Sequence, residues 1–331
     1  MRLDQLIAYA ETRPQDIPPL GYERKPVRYA LRIDQEGNNH SLIDLATEED
    51  KRGKPMFVPV RGRPSGDVPL LLCDHAEYIL GIPGRKSVEQ ATARYWKHVE
   101  LVRECAQIAR DSALKSCNDF LNRNEPGHPV FPLPADFDPS ATIVFEVVDG
   151  WESIAPIDLP SVRAFWARHA SEADEEVIME CLACGELKHP VRNQPVAIKQ
   201  LPGGNPSGSK VISADNSCYE SYGLERARIA PMCEICAHKI GSALNLLLSD
   251  EQTNIRTPTF SWIFWTDVPS AFTWNIIDRP DPAQVKAFLQ SVEQGREASL
   301  DDAKFYTASV AGKRGRLEHR SSNQAAAGSS V

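Results

Sequence analysis

Four cysteines carry the clearest chemistry in this sequence. Cys181 and Cys184 form one C-x-x-C pair, followed at once by Gly185, and Cys233 and Cys236 form a second, preceded by Pro231-Met232. Thiolates at this spacing are the ligand set of a tetrahedral zinc ion, and two such pairs in one chain favour zinc over four unrelated buried cysteines. Four sulfur ligands fill the coordination sphere and leave no open position for a substrate, so the expected metal is structural. Gly185 suits a tight knuckle because it takes positive φ without a Cβ clash. Pro231 can be the first residue of a helix running to about Leu248, with Ile235, Ile240, Ala243, Leu244, Leu246 and Leu247 as its apolar face. Knuckle, irregular arm and helix give the outline of a treble-clef-like zinc module.

The arm between the pairs holds a glycine-rich loop, with Lys199 before Gly203 and Gly204, and Lys210 after them. Backbone N–H groups in such a loop can approach an anion closely while the lysines supply charge. It lacks the G-x-x-x-x-G-K-[ST] pattern, so ATP is not indicated, and a structural hairpin accounts for the same composition. Upstream, Lys51-Arg52-Gly53-Lys54-Pro55 and the loop Val60 to Gly66, with Arg61 and Arg63, are basic and glycine-containing. Such loops follow a phosphate backbone, or are simply solvated connections.

The elements that must position these residues follow from pattern. A chain of 331 residues implies two domains, or one large domain with an insertion. Leu3, Leu6, Ile7 and Ala10 recur at helical spacing. Val27, Tyr29, Leu31 and Ile33 alternate with polar neighbours, and Glu36-Gly37-Asn38-Asn39 turns into a second strand near Ser41 to Leu45, a hairpin whose polar face carries Arg28 and Arg32. Pro69 to Asp74 reads as a strand. Ser87 and Gln90 form a capping box for a helix reaching about Asn122. Thr142 to Val148 is a strand, Pro160 to Met179 an acidic helix, Val211 to Ser213 a strand, Thr257 to Trp265 an aromatic strand, Pro282 to Gln294 a helix and Lys304 to Val310 a strand. The fold class is α+β, a mixed N-terminal domain with an inserted zinc-stapled module. Its expected divisions are 1–133, an acidic strand-helix segment 134–180, the zinc module 181–250, a returning segment 251–320 and a disordered, Ser/Ala/Gly-rich tail 321–331.

Bulk properties exclude several function classes. No apolar run reaches membrane-spanning length, and the first residues lack the apolar core of a signal peptide. Eight cysteines with four in metal spacing point to a reducing cytoplasm rather than to disulfides. A net charge of −8 argues against a uniformly basic nucleic-acid binder and leaves recognition to local patches.

Taken in order, a longer set of residues resembles one family. His189-Pro190, Ile198-Lys199, Gly203-Gly204, Gly208, Ser221-Tyr222-Gly223, Ala230-Pro231 and Ala243-Leu244-Asn245 look like the large subunit of the type I-C CRISPR Cascade complex. Gly21-Tyr22-Glu23, the Pro59-to-Gly66 loop, Leu72 to Gly81, Phe264-Trp265, Lys304-Phe305-Tyr306 and Gly315-Arg316-Leu317 are similar to the same family. The resemblance implies a non-enzymatic subunit that binds double-stranded DNA beside the target and reads the protospacer-adjacent motif. It would also help open the duplex and help recruit a helicase-nuclease. Its partners would be the other Cascade subunits and the CRISPR RNA. Carried over by position, Arg61, Arg63, Lys199, Gly203, Gly204 and Lys210 are the expected DNA-contacting set. The family continues into a helical C-terminal region beyond the length of this chain, which therefore has the look of a fragment or a shortened form.

Two rivals use the same residues. An HNH-type nuclease also combines a treble clef, a Gly-Gly loop and C-x-x-C pairs, but needs a His or Asp partner beside His189. A zinc deaminase needs H-x-E with P-C-x-x-C, and here His98-Val99-Glu100 is remote while Met232 separates Pro231 from Cys233. The plainest alternative is a zinc-stapled scaffold with no DNA role.

Overall fold

The structure is a computed structural model that describes residues 2–61, 67–171, 173, 176–214, 216–266, 304–313 and 315–326. The chain divides into two compact units, one of residues 18–171 and one of residues 1–17 with 172–331. The first helix, α1 (Leu3–Glu11), belongs to the second of these units.

In the unit 18–171, β1 (Tyr22–Val27) is followed by β2 (Tyr29–Ile33), β3 (Asn39–Asp44), β4 (Lys54–Pro59) and β5 (Cys73–His75). Then come the short α2 (Ala76–Ile79), α3 (Val88–Ala109), α4 (Ser112–Arg123), β6 (Thr142–Asp149), β7 (Glu152–Ile154) and α5 (Pro160–His169). The expected hairpin is β2 with β3, in antiparallel register from Tyr29↔Asp44 to Ile33↔Asn39. The sheet runs β3-β2-β6-β5, with β7 folded back on β6, and β2 and β6 are parallel. A parallel pair needs a long crossover, and the stretch containing α3 and α4 supplies it. β1 and β4 pair separately.

Several elements depart from expectation for visible reasons. The capping box forms, with Gln90 N–H donating to Ser87 Oγ at 3.3 Å and Ser87 N–H to Gln90 Oε1 at 3.3 Å. The helix it starts does not reach Asn122 unbroken: Arg110 takes a left-handed conformation (φ 52°), and Asp111 caps α4 by accepting from Ala113 N–H at 2.9 Å. The strand expected over Pro69 to Asp74 is confined to Cys73–His75, and the acidic helix ends at His169. Arg28 and Arg32 are not free bases. Arg28 pairs with Asp44 (2.7 Å) and Asp136 (3.1 Å), and Arg32 with Glu146 (2.9 Å).

In the other unit, β8 (Met179–Glu180) and β9 (Leu187–Lys188) form a minimal hairpin. After an irregular arm comes α6 (Glu234–Ser249), then β10 (Asn254–Arg256), β11 (Ser261–Thr266), β12 (Lys304–Lys313) and β13 (Arg316–Ala326), an antiparallel sheet in that order. Leu6 of α1, Ile240, Leu244 and Leu247 of α6, and Ile263, Trp265 and Tyr306 of the sheet share one core, with Trp265 stacked on Tyr306. Val211 to Ser213 is not a strand; the pairing just before it consists of single bridges, Ser209 to Ile198 and Lys210 to Arg316. Residues 321–326, expected to be disordered, continue β13, because pairing with β12 supplies the hydrogen bonds that their composition does not advertise. The expected helix Pro282 to Gln294 and residues 327–331 lie outside the described residues.

Candidate metal centre and the arm it anchors

The β8–β9 hairpin holds the first cysteine pair in its turn. Cys181 N–H donates to Glu186 O (2.9 Å) and Gly185 N–H to Cys181 O (2.8 Å), with Gly185 at φ 72°. The second pair reaches the same place through an extended segment. Leu182 N–H donates to Pro231 O (2.9 Å) and Val191 N–H to Met232 O (2.9 Å), which makes residues 231–233 strand-like. Pro231 is therefore not the start of the helix. Cys233, extended at φ −69° and ψ 157°, is the residue before α6, and Cys236 sits in its first turn. Ile235, expected on the buried face, is half exposed, because turning Cys236 inward turns its neighbour outward.

One ligand atom from each of Cys181, Cys184, Cys233 and Cys236 lies within 4.8 Å of all the others. Sulfurs bound to a tetrahedral zinc at about 2.3 Å stand roughly 3.8 Å apart, so the arrangement fits such an ion after a small contraction. Among the described residues these four are the group of ligand type that could hold a metal. Cys181, Cys233 and Cys236 are buried and Cys184 is exposed. Burial pushes the Cys181 thiol up, but N–H groups of Cys233, Cys184 and Ala183 directed at its sulfur bring it below its ordinary value. Burial, then the neighbouring Cys233, pushes the Cys236 thiol up. One stabilised thiolate among sulfurs that repel further negative charge is a cluster suited to a cation.

The arm is fastened to α6 and to the β12–β13 turn. Lys199 N–H donates to Asn245 Oδ1 (2.8 Å), and Asn245 Nδ2 donates to Ala197 O (2.9 Å). A Cβ on Gly241 would stand 2.6 Å from Val196 Cβ, so this glycine lets the arm lie against the helix. Gly203 and Gly204 press on Gly312. A Cβ on Gly312 would meet Gly204 Cα at 2.3 Å, and one on Gly203 would meet Gly312 O at 2.8 Å. The lysine side chains differ: Lys199 is exposed, whereas Lys210 Nζ donates to Gln194 O at 2.7 Å. In the other unit Arg61 is partly buried near His169, whose imidazole is held below its usual range by burial and then by the Arg61 charge. Arg63 lies outside the described residues.

Two features escaped the sequence. Arg316 lies over the Tyr219 ring at 3.7 Å, joining the arm to β13, although a cation and an aromatic so far apart in sequence give no local signal. Tyr222, at φ 52° beside Gly223, is 100% exposed, so the tip of this turn presents an aromatic ring to solvent.

The family model described as CRISPR-associated protein (Cas_Csd1) matches residues 5–327. No curated protein matches the chain.

Proposed function

The chain belongs to the CRISPR-associated Cas_Csd1 family, and from that membership we propose that it is the large subunit of a type I-C Cascade complex. The observation that carries this reading is the extent of the match, residues 5–327, which takes in both compact units. On this reading the protein is not an enzyme. It binds duplex DNA beside the target, reads the adjacent motif, aids opening of the duplex and recruits a helicase-nuclease, working with the other Cascade subunits and the CRISPR RNA. Arg61, Arg63, Lys199 and Lys210 supply phosphate contacts that position the duplex, and Gly203 and Gly204 set the shape of the loop that carries two of them. The four thiolates hold a structural zinc that fixes both ends of the arm.

The nuclease alternative would use His189 as a metal ligand or base. His189 Nδ1 donates to Val177 O at 3.0 Å, which leaves Nε2 for such a role, but among the described residues His189 belongs to no group of side chains that could hold a metal.

The test is co-expression of the chain with a type I-C backbone and guide, followed by capture of target duplexes that differ only in the adjacent motif. Motif-dependent capture without cleavage is expected, and Lys199→Ala should weaken capture about threefold to tenfold, flatten its salt dependence by roughly one charge and leave the melting curve unchanged. Failure to assemble, or capture indifferent to the motif, would overturn the reading; metal-dependent cleavage would favour the nuclease.

A further inference from the structure

The arm between the cysteine pairs lines a half-open cavity of about 550 Å³. Its lining comes from three parts of the arm: residues 192–194, Lys210 with 212–214, and Glu220 with 225–227. Arg226 N–H donates to Ala214 O (3.2 Å) and Ala227 N–H to Arg192 O (3.2 Å), so the walls are tied together by backbone bonds. The volume falls within the roughly 300–1,000 Å³ of small-molecule sites.

The floor of the cavity is rich in donors. Gln194 is 3% exposed, and among the described residues its Nε2 has no hydrogen-bond partner. A buried amide left in that state is costly, and Gln194 lines this cavity. Lys210 Nζ is held beside it by the bond to Gln194 O (2.7 Å). On the rim stand Arg192 and Arg226, the latter donating from Nη1 to Asn193 Oδ1 at 3.1 Å. Guanidinium, ammonium and amide donors around one space match a group with several acceptor oxygens, above all a phosphate. The same rim carries Glu220 and Glu225. A bare anion would use only the donors, whereas a nucleotide would also give the carboxylates its sugar hydroxyls and base amino groups to accept from.

We propose that this cavity binds a terminal phosphate monoester carried on a nucleoside, either a free mononucleotide or the 5′-phosphorylated end of a strand. The site shares Lys210 with the residues assigned to the duplex, but its other donors, Gln194, Arg192 and Arg226, are not among them, and its occupancy is tested without a duplex.

Calorimetric titration of the full chain with AMP, adenosine, inorganic phosphate, and matched short single strands bearing a 5′-phosphate or a 5′-hydroxyl tests the proposal. AMP, the phosphorylated strand or both should bind more tightly than their counterparts without phosphate. Arg226→Asn is the first variant, because asparagine tolerates the φ of 53° at that position and the side chain is exposed. It should weaken the bound phosphate ligand about tenfold with an unchanged melting curve. Gln194→Leu should do the same, and Arg192→Gln covers the case in which that buried change fails to fold. AMP binding alone identifies the source as a free nucleotide, and strand binding alone as a nucleic-acid end. Equal binding of adenosine and AMP, indifference to both exposed arginine variants, or no binding of either phosphate probe would overturn the proposal and leave Gln194 solvated by water.

Discussion

Residues 18–171 bury Trp166, Tyr22, Tyr29, Tyr95 and Phe145 fully or nearly so, with the leucines and isoleucines of a mixed sheet around them. The unit of residues 1–17 and 172–331 buries mainly Leu, Ile and Ala along α1 and α6, and includes three cluster cysteines in its core. It also carries an arm of more than forty residues with little regular structure between Cys184 and Cys233. A connection of that length inside a compact unit is uncommon without function or an external tie. One unit is held by apolar area, spread over many side chains. In the other, the arm's two ends depend on four sulfurs.

The change that separates the two regions most sharply is loss of one thiolate. Cys236→Ser should lower the stability of the unit of residues 1–17 and 172–331 by several kcal/mol, since binding of a structural zinc is itself folding free energy of about 10–16 kcal/mol in finger peptides. Proteolysis followed by mass spectrometry should show new cleavage within 176–249 while peptides from 18–171 stay protected. A chelator should reproduce the effect in the parent and add nothing to the variant. Zinc-free purified protein with an unchanged melt in the variant would dissolve the contrast.

Acid should act on the apolar unit instead. His98 is fully buried on α3, stacked on Phe145, and among the described residues neither ring nitrogen has a hydrogen-bond partner. Burial pushes its pKa down to about 3, from an ordinary 6.5. The fold therefore holds a neutral ring, while the unfolded chain takes up a proton below about pH 6.5. Its contribution is fully present above pH 6.5 and is lost as pH falls toward 3, to the extent of about 5 kcal/mol. Denaturant midpoints of the parent should fall across that window more steeply than those of His98→Leu. Parallel slopes would mean that the ring is hydrated in solution.

A smaller effect tests whether the glycine pair shapes the arm. An alanine at position 312 meets only backbone atoms of Gly203 and Gly204, which cannot swing aside, so Gly312→Ala should cost about 1–3 kcal/mol. Gly150, between β6 and β7, offers the converse: φ is 59° and nothing lies within 4 Å, so Gly150→Ala carries conformational strain alone, about 1 kcal/mol. Equal midpoints for the two variants would show that the arm yields, and that its glycines serve something other than packing.

What could be read from sequence were features settled within a few residues. The Ser87–Gln90 box, the Gly37 turn between β2 and β3, and the C-x-x-C knuckle all close over short spans, and each formed. What escaped depends on partners far along the chain. Gly203 and Gly204 read equally as an anion loop until Gly312 is seen against them. Pro231 looked like a helix start because nothing local reveals that Leu182 N–H takes its carbonyl. Gln194 gives no sign of burial, and residues 321–326 gain their order from β12.

The break between α3 and α4 is the instructive middle case. The apolar stripe from Leu101 to Phe120 runs through it, so periodicity alone argues for one helix. Asp111 is a good N-cap, however, and Arg110 carries the left-handed turn that frees it, its own N–H bonded to Ala106 O at 3.0 Å. A non-glycine residue in that conformation costs about 1–2 kcal/mol, offset in a glycine by roughly 0.5–1 kcal/mol of extra freedom in the unfolded chain. Arg110→Gly should therefore raise the stability of the 18–171 unit by about 0.5–1 kcal/mol, with no change in metal dependence. Because the gain arises where apolar packing has already fixed both helices, it should survive chelation intact. A loss of stability would show that the arginine side chain, rather than the turn, holds the two helices at their angle.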